Sequence, residues 1–256
     1  MTNATDDDNK RLDFELFNRT FGQTLRAWRL IWSLQVYMQY GSSLAHVHIL
    51  SSTYKTAVEI INQPDYGTPE ERDSVAQTLP TKVAAAAAYT IQDAHAAANA
   101  ACVVFAHSML DGAIEDYCKV SALFSLNDWK EYVQQEKVTL AEVGDATFDE
   151  LLRNAVLGYL KRFGNKSLPN KIEVLQSICK PGAIEILKDY RFDGDRLRRF
   201  DLLRHNIIHN EGFGAEIDNI EKDLQYIERT SIYLSALITH RYGLQIDPRA
   251  MNVAIA

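Results

Sequence analysis

Cysteine, glycine and proline are scarce in this 256-residue chain, and each scarcity excludes a class of protein. The 3 cysteines are an odd number and form no Cys-x-x-Cys pair, which argues against a disulfide framework or a cysteine-rich zinc site. Their scarcity favours a reducing, cytoplasmic compartment. Only 12 glycines and 6 prolines argue against collagen-like and turn-rich all-β chains. Hydrophobic residues make up 46% of the chain, which is enough to build a globular core.

Long apolar runs and the usual cofactor motifs are also missing. The most apolar stretch, residues 84–110, is interrupted by polar side chains, so we expect no transmembrane helix and no membrane partner. The acidic run at residues 6–8 predicts neither a signal peptide nor a transit peptide. The sequence has no glycine-rich phosphate loop, no HExxH and no GxSxG. We therefore expect no cofactor and no metal.

Positive charge is scarce overall but concentrated in one region. The net charge is -7, which disfavours a protein that coats nucleic acid. Residues 151–209, however, carry 12 lysines and arginines against 6 aspartates and glutamates, a balance of +6. This basic zone is suited to binding a polyanion at one place, or it consists of solvated helix faces that cluster by chance.

Helical periodicity is what the chain has in abundance. Apolar residues recur at spacings of three and four along almost every long segment, and no segment alternates as a strand does, so the fold class is predicted to be all-α. An interruption is expected at 41–43 and a bend near Gly112. The predicted helices cover residues 14–40, 44–61, 82–124, 149–163, 169–178, 182–190, 195–208 and 217–238.

The punctuation between helices predicts four regions. Three prolines and a glycine fall within residues 63–81, which are predicted to be a linker or surface loop. The chain then divides into an N-terminal helical extension (1–62), this linker, a helical bundle (82–245) and a C-terminal tail (246–256).

Several titratable residues outside the basic zone have a structural interpretation. The spacing of His46 and His48 is poor for a helical metal pair, and His107, on the alanine-rich helix, is interpreted as structural. Asp111 and Glu115 share a helix face at a spacing of four, but a di-metal bundle needs a second set of ligands that the sequence lacks.

The most informative pattern is Arg204-x4-His209, near the end of a basic amphipathic helix. By composition about 0.4 such pairs arise by chance, so the context matters more than the pattern. On an ideal α-helix the two residues lie about 140° apart. They converge only if the helix ends or bends between them, or if a second protomer completes the site.

Residues 202–210, Leu-Leu-Arg-His-Asn-Ile-Ile-His-Asn, resemble the signature of the HEPN superfamily (higher eukaryotes and prokaryotes nucleotide-binding domains). Its ribonuclease members carry Arg-x4-6-His, often with Asn, Asp or His directly after the arginine. Residues 109–117 resemble the family's early helix, on which an acidic residue follows a leucine. The resemblance covers roughly 82–244 by position, and residues 1–62 have no counterpart in the minimal domain.

The resemblance implies a HEPN-like up-and-down helical bundle that acts as a metal-independent endoribonuclease. Arg204 and His209 would be catalytic, in a cleft between the two protomers of a homodimer. RNA carries its own nucleophile, the 2′-OH, so the enzyme need only move protons with an imidazole and stabilise phosphorane charge with a guanidinium. The expected products are a 2′,3′-cyclic phosphate and a 5′-OH.

Five further residues complete the predicted site as substrate-binding or supporting groups. His205 would orient His209 or bind phosphate, and Asn206 would hydrogen-bond the backbone of the scissile nucleotide. The five residues are His205, Asn206, Arg199, Asp111 and Glu115.

The resemblance also suggests a biological role, a toxin or an antiviral or stress effector with RNA as its partner and an antitoxin or regulatory protein as a further one. Toxins neutralised by tyrosine modification commonly have a tyrosine two residues after the motif histidine, where this chain has Glu211.

Two alternatives stand beside the ribonuclease. One is a non-catalytic HEPN-type RNA- or nucleotide-binding module, in which Arg204 pairs with Glu115 or Asp111 or the motif persists as an anion site. The other is a helical interaction protein whose residues 12–61 dock to a partner. Its contact surface would include Trp28, Trp32, Tyr37 and Tyr40.

Overall fold

The computed structural model describes residues 4–134, 147–180, 191–211, 217 and 219–247, with side chains described at all of these except 4–14, 43, 210 and 211. The predicted all-α class is confirmed, since every regular element within these ranges is helical. The α-helices are α1 (Ala4–Ile61), α2 (Pro69–Phe124), α3 (Lys130–Val133), α4 (Phe148–Phe163), α5 (Leu168–Cys179), α6 (Gly194–Asn206) and α7 (Ile220–Tyr242). A 3₁₀-helix (Leu126–Trp129) precedes α3, and a π-helix (Ile207–Glu211) follows α6.

The first two helices are longer than the positions of glycine, serine and proline predict. Helix α1 continues through residues 41–43, and α2 continues through Gly112. The predicted linker at 63–81 is a turn only over 62–68, because α2 begins at Pro69 and contains Pro80. The helix predicted over 182–190 lies outside the described residues.

Local chemistry explains why α2 begins so early. The Thr68 amide donates to Glu71 Oε2 at 2.7 Å, and the Glu71 amide donates to Thr68 Oγ1 at 3.3 Å, which forms a capping box. Pro69 occupies the first helical position, where its missing N–H costs nothing. Arg72 donates to the backbone carbonyls of the preceding turn, including Tyr66 O at 2.9 Å. These contacts define the helix start more strongly than Pro80 disrupts it.

The chain divides into two compact units, and the division does not follow the predicted extension. Unit 1 comprises the described parts of 1–30, 103–205 and 219–256, and unit 2 comprises those of 31–102 and 206–218. Residues 15–30 belong to unit 1 because their apolar side chains are part of its core, where Phe17 and Trp28 are buried.

Buried polar groups connect three helices of unit 1. Trp28 Nε1 donates to Ser231 Oγ at 2.9 Å, which joins α1 to α7. The hydroxyls of Tyr117 and Ser235 lie 2.6 Å apart, and those of Ser121 and Tyr242 lie 2.7 Å apart, so α2 is joined to α7 twice. Since a buried donor without an acceptor is costly, these pairs specify how the three helices pack.

Unit 2 is built mainly from the remainder of α1 and the first part of α2. Next to the turn, Ile61 packs with Leu79 and Val83 in a small apolar cluster. Farther from the turn, Gln35 Nε2 donates to Asn99 Oδ1 and approaches Cys102 Sγ, both at 3.3 Å. The two segments are therefore paired at both ends of this unit.

Helix α2 is the one helix among those described whose length and composition suffice to cross a membrane. A single helix of this kind is weak support for membrane insertion, because core helices of soluble proteins satisfy the same criterion. Of its most apolar window, 44% is buried within the protein.

Candidate functional site

An open cavity of about 710 Å³ lies within unit 1. Its walls are one face of α2, the segment 164–168 that leads into α5, and one face of α6. Four of the seven predicted site residues line it, namely Asp111, Glu115, Arg204 and His205.

One face of α2 supplies three ionisable side chains to the cavity. His107, Asp111 and Glu115 follow one another at intervals of four residues, so they form a single stripe along the helix. The predicted shared face of Asp111 and Glu115 is therefore confirmed. His107, interpreted from the sequence as a structural residue, also belongs to this wall.

A buried lysine binds both carboxylates of this stripe. Lys171 on α5 has no exposed side-chain surface, and its Nζ donates to Asp111 Oδ1 and, at 3.0 Å, to Glu115 Oε1. The same ammonium lies 5.9 Å from the centre of the Phe163 ring. The two acids thus compensate a charge that would otherwise be buried alone, and Lys171, rather than Arg204, is the partner that the structure gives them.

Asp201 joins the three walls of the cavity. Its Oδ1 lies 2.7 Å from His107 Nε2, and its Oδ2 accepts from the Leu168 backbone N–H at 2.9 Å. The second bond satisfies an amide in the first turn of α5, where a carboxylate also interacts favourably with the helix dipole. His107 further stacks on Phe200, with ring centres 6.2 Å apart. The imidazole is therefore held by a carboxylate on one edge and by an aromatic face.

Arg204 follows Asp201 by one helical turn and lines the same cavity. Its Nε is buried and has no hydrogen-bond acceptor among the described residues. A buried donor without a partner costs about 1–3 kcal/mol. Arg204 as a residue lines the cavity, and a guanidinium there suits two oxygens of one phosphate.

Of the four predicted residues not yet described, one lines the cavity and three do not. His205 is exposed and lines the cavity, at a spacing of four from Asp201. Arg199 is exposed on α6 and is not among the residues that line it. Asn206 is half-buried and His209 is exposed, and both belong to unit 2.

The backbone leaves α-helical geometry inside the Arg204-x4-His209 motif. Helix α6 ends at Asn206, and the π-helix begins at Ile207. The hydrogen bonds of a π-helix join residues i and i+5, so its backbone winds more slowly than that of an α-helix. The α-helix therefore ends between the two residues of the motif, which is one of the conditions that the sequence sets for their convergence.

Sequence reasoning missed His107, Asp201 and Lys171. The spacing of His107 from Asp111 and Glu115 was a usable signal, since residues four apart share a helix face. Lys171 lies on the apolar face of an amphipathic helix, where a lysine requires a carboxylate partner. No comparable signal pairs Asp201 with His107, because that contact joins residues 94 positions apart.

The cysteines of this unit are suited to packing rather than to catalysis. Cys118 and Cys179 are buried, and burial raises the pKa of the Cys179 thiol to about 12. Burial also raises the pKa of Cys118 well above its ordinary value. Both are therefore neutral thiols at neutral pH, whereas a nucleophilic cysteine must be a thiolate.

Metal binding is a further possibility for acidic and histidine side chains, and it depends on whether they cluster. Within the described ranges, no cluster of three or more His, Cys, Asp or Glu side chains has an arrangement that could hold a metal ion.

Comparison with known proteins identified no match. No family model, no curated protein and no solved structure matches the chain.

Proposed function

We propose that this protein cleaves RNA without a metal, and that Arg204 holds the scissile phosphate in the unit 1 cavity while His209 transfers a proton. The observation that carries the proposal is the position of Arg204 on the wall of an open cavity, with a buried Nε that has no acceptor among the described residues. The resemblance of residues 202–210 to the HEPN ribonuclease signature supports the same assignment.

A phosphate oxygen is the acceptor that this arginine suits best. The guanidinium stays protonated at any physiological pH and presents parallel N–H groups that match two phosphate oxygens. The same contact neutralises charge that develops on the phosphorane when the 2′-OH attacks. Arg204 would therefore contribute to both binding and turnover.

The histidines supply groups that can move protons near neutral pH. His209 is exposed, and the resemblance assigns it the catalytic role. His205 lines the cavity with Arg204, where an imidazole can donate to a phosphate oxygen. In the cleavage, the 2′-OH would lose its proton to a base as its oxygen attacks phosphorus. The bond between phosphorus and the 5′ oxygen would break, and the 5′ oxygen would take up a proton, which leaves a 2′,3′-cyclic phosphate and a 5′-OH.

A second candidate function is RNA or nucleotide binding without turnover, and one observation favours it. His107, the imidazole fixed within the cavity, has its Nε2 bound to Asp201, which is itself bound to the Leu168 amide. This histidine is thus held in place as part of the wall on which Arg204 would bind a phosphate, as in a site that binds without turnover.

Cleavage of RNA in EDTA by purified full-length variants tests the proposal. We expect Arg204→Lys and His209→Ala each to lower the rate by about 100-fold or more, as removal of a transition-state donor or a general acid–base group does. Arg198→Lys is the matched control, because Arg198 lies on the same helix, is exposed and pairs with Asp195. Wild-type rates in His209→Ala would contradict the assignment of the proton-transfer group.

Binding to an RNA with 2′-deoxy substitution at the cleavage site separates the two candidate functions. A catalytic site predicts that His209→Ala retains affinity and loses cleavage, whereas Arg204→Lys loses part of both. A binding module predicts salt-sensitive affinity that depends on Arg204, with no cleavage by any variant.

A further inference from the structure

Helix α1 carries an exposed apolar stripe within unit 2. Leu44 is 78% exposed and Val47 is 65% exposed, although both are large aliphatic residues. The stripe follows intervals of three and four residues over about 26 Å of helix, which is the a/d spacing of a coiled-coil seam. We call this surface the a/d stripe, and its members are Tyr37, Tyr40, Leu44, Val47, Ser51 and Tyr54.

Helix α2, which pairs with this part of α1 in unit 2, does not cover the a/d stripe. Helix α2 is contacted by other residues of α1, with Gln35 at one end and Val58 and Ile61 at the other. A contiguous apolar surface of this length, left exposed on a helix, marks a site where another molecule packs.

We infer that the a/d stripe is a dimerisation surface, on which the same stripe of a second copy of this chain packs in the antiparallel direction. The six positions of the stripe are symmetric about the midpoint between Leu44 and Val47. A two-fold axis at that point places Leu44 opposite Val47 of the other copy. It also places Tyr37 opposite Tyr54, so each aromatic end meets an aromatic end.

The same symmetry places side chains of complementary size opposite each other. In this register Tyr40 of one copy faces Ser51 of the other, so a large side chain meets a small one. Alternation of this kind allows two helices to interdigitate without overpacking.

Charge favours a second copy as the occupant. No Asp, Glu, Lys or Arg occurs between Arg29 and Lys55. In the antiparallel register the two copies of Lys55 lie about 28 Å apart along the helix axis, well beyond the Debye length of about 8 Å at physiological salt. Self-association therefore incurs no like-charge repulsion. Gln39 and His48, exposed beside the stripe, suit the wet flanks of a protein–protein seam better than a lipid interior.

Sedimentation velocity of the full-length protein tests this inference with one charged substitution. Leu44→Glu appears twice at the two-fold seam, and we expect it to raise the dimer dissociation constant by at least about 100-fold. Tyr89→Glu is the matched control, because Tyr89 is 68% exposed on α2, outside the stripe, and should leave the dimer intact. A monomeric wild type, or a dimer insensitive to Leu44→Glu, would overturn the proposal.

Cysteine cross-linking tests the orientation. With a short bis-maleimide, a mixture of Tyr37→Cys and Tyr54→Cys proteins should yield a covalent dimer, whereas either variant alone should not, since each position lies about 26 Å from its own copy. The native cysteines are buried and should not react. Cross-linking of either variant alone indicates parallel pairing and contradicts the proposal.

Vesicle flotation tests whether lipid, rather than a second copy of the chain, covers the a/d stripe. Wild type that floats with vesicles of three parts phosphatidylcholine to one part phosphatidylglycerol, and loses this property in Leu44→Glu, would show that lipid occupies the stripe and would overturn the inference. This inference does not rest on RNA cleavage, so the two can fail separately.

Discussion

Lys171 is the residue on which the geometry of the cavity wall depends most directly. Its ammonium is fully buried and binds the carboxylates of Asp111 and Glu115 on α2. These two side chains are 31% and 34% exposed, respectively. The exposed side of each carboxylate faces the cavity, which both acids line. The lysine therefore fixes the positions of both carboxylates on the cavity wall.

Replacing Lys171 with methionine should destabilise the protein by about 1–3 kcal/mol, because two carboxylates four residues apart lose their shared counter-charge while water still solvates them in part. Urea unfolding at neutral pH measures the change. The control is Lys119→Met, which removes an exposed Lys119–Asp116 pair and should cost below about 0.5 kcal/mol. Equal losses in the two variants would contradict the role given to Lys171.

Among the structural elements, the sequence predicts where the helices lie better than it predicts where they begin and end. The apolar spacing of residues 149–163 predicted α4 to within one residue, and the N-cap of that helix is a capping box of Thr147 and Glu150. The predicted linker at 63–81 is too long, because Pro80 does not end the helix as a proline in a helix interior commonly does. The capping box at Thr68 and the buried Leu79 beside the proline outweigh its local cost.

Pro80 should still weaken α2. It removes one backbone hydrogen bond and crowds the carbonyl four residues earlier, yet its side chain is exposed and contributes little packing. We expect Pro80→Ala to stabilise this part of α2 by about 1–3 kcal/mol. Hydrogen exchange of the amides in residues 69–102 measures it. Lys82→Ala, an exposed neighbour, should change stability by less than about 0.5 kcal/mol. A proline variant with faster exchange would contradict this account.

In the candidate site, too, positions within one helix are easier to predict from the sequence than contacts between helices. Arg204 and His205, together with Asp111 and Glu115, were predicted from spacing and resemblance, and the structure brings these four into one cavity. Contacts within one helix follow from its period of 3.6 residues. The pairings of Lys171 with Asp111 and of His107 with Asp201 depend on how separate helices pack, and the sequence alone does not specify that.

For the whole molecule, the two compact units have boundaries other than those of the four predicted regions. Residues 1–62 were predicted to be an extension because they have no counterpart in the resembled domain. Their apolar spacing is equally typical of a core helix, and Phe17 and Trp28 are indeed buried in unit 1. The predicted contact surface divides accordingly, since Trp28 is core whereas Tyr37 and Tyr40 are exposed.

Deleting residues 1–62 should therefore abolish cooperative unfolding, because it removes buried side chains from unit 1. A milder test compares two neighbouring residues of α1. Trp28→Ala should cost about 3–5 kcal/mol, and Leu30→Ala, at a 56% exposed position, less than about 1 kcal/mol. Thermal unfolding followed by circular dichroism measures both. A deletion variant with an intact transition would show that this segment is dispensable.

The proposed function depends above all on the binding of the scissile phosphate of RNA by Arg204. The most direct measurement is the chemistry of the RNA ends produced in EDTA by wild type and by Arg204→Lys, with Arg198→Lys in parallel. We predict 2′,3′-cyclic phosphate and 5′-OH ends from wild type and from Arg198→Lys, and about 100-fold fewer from Arg204→Lys. Equal yields from all three proteins, or no such ends from wild type, would contradict it.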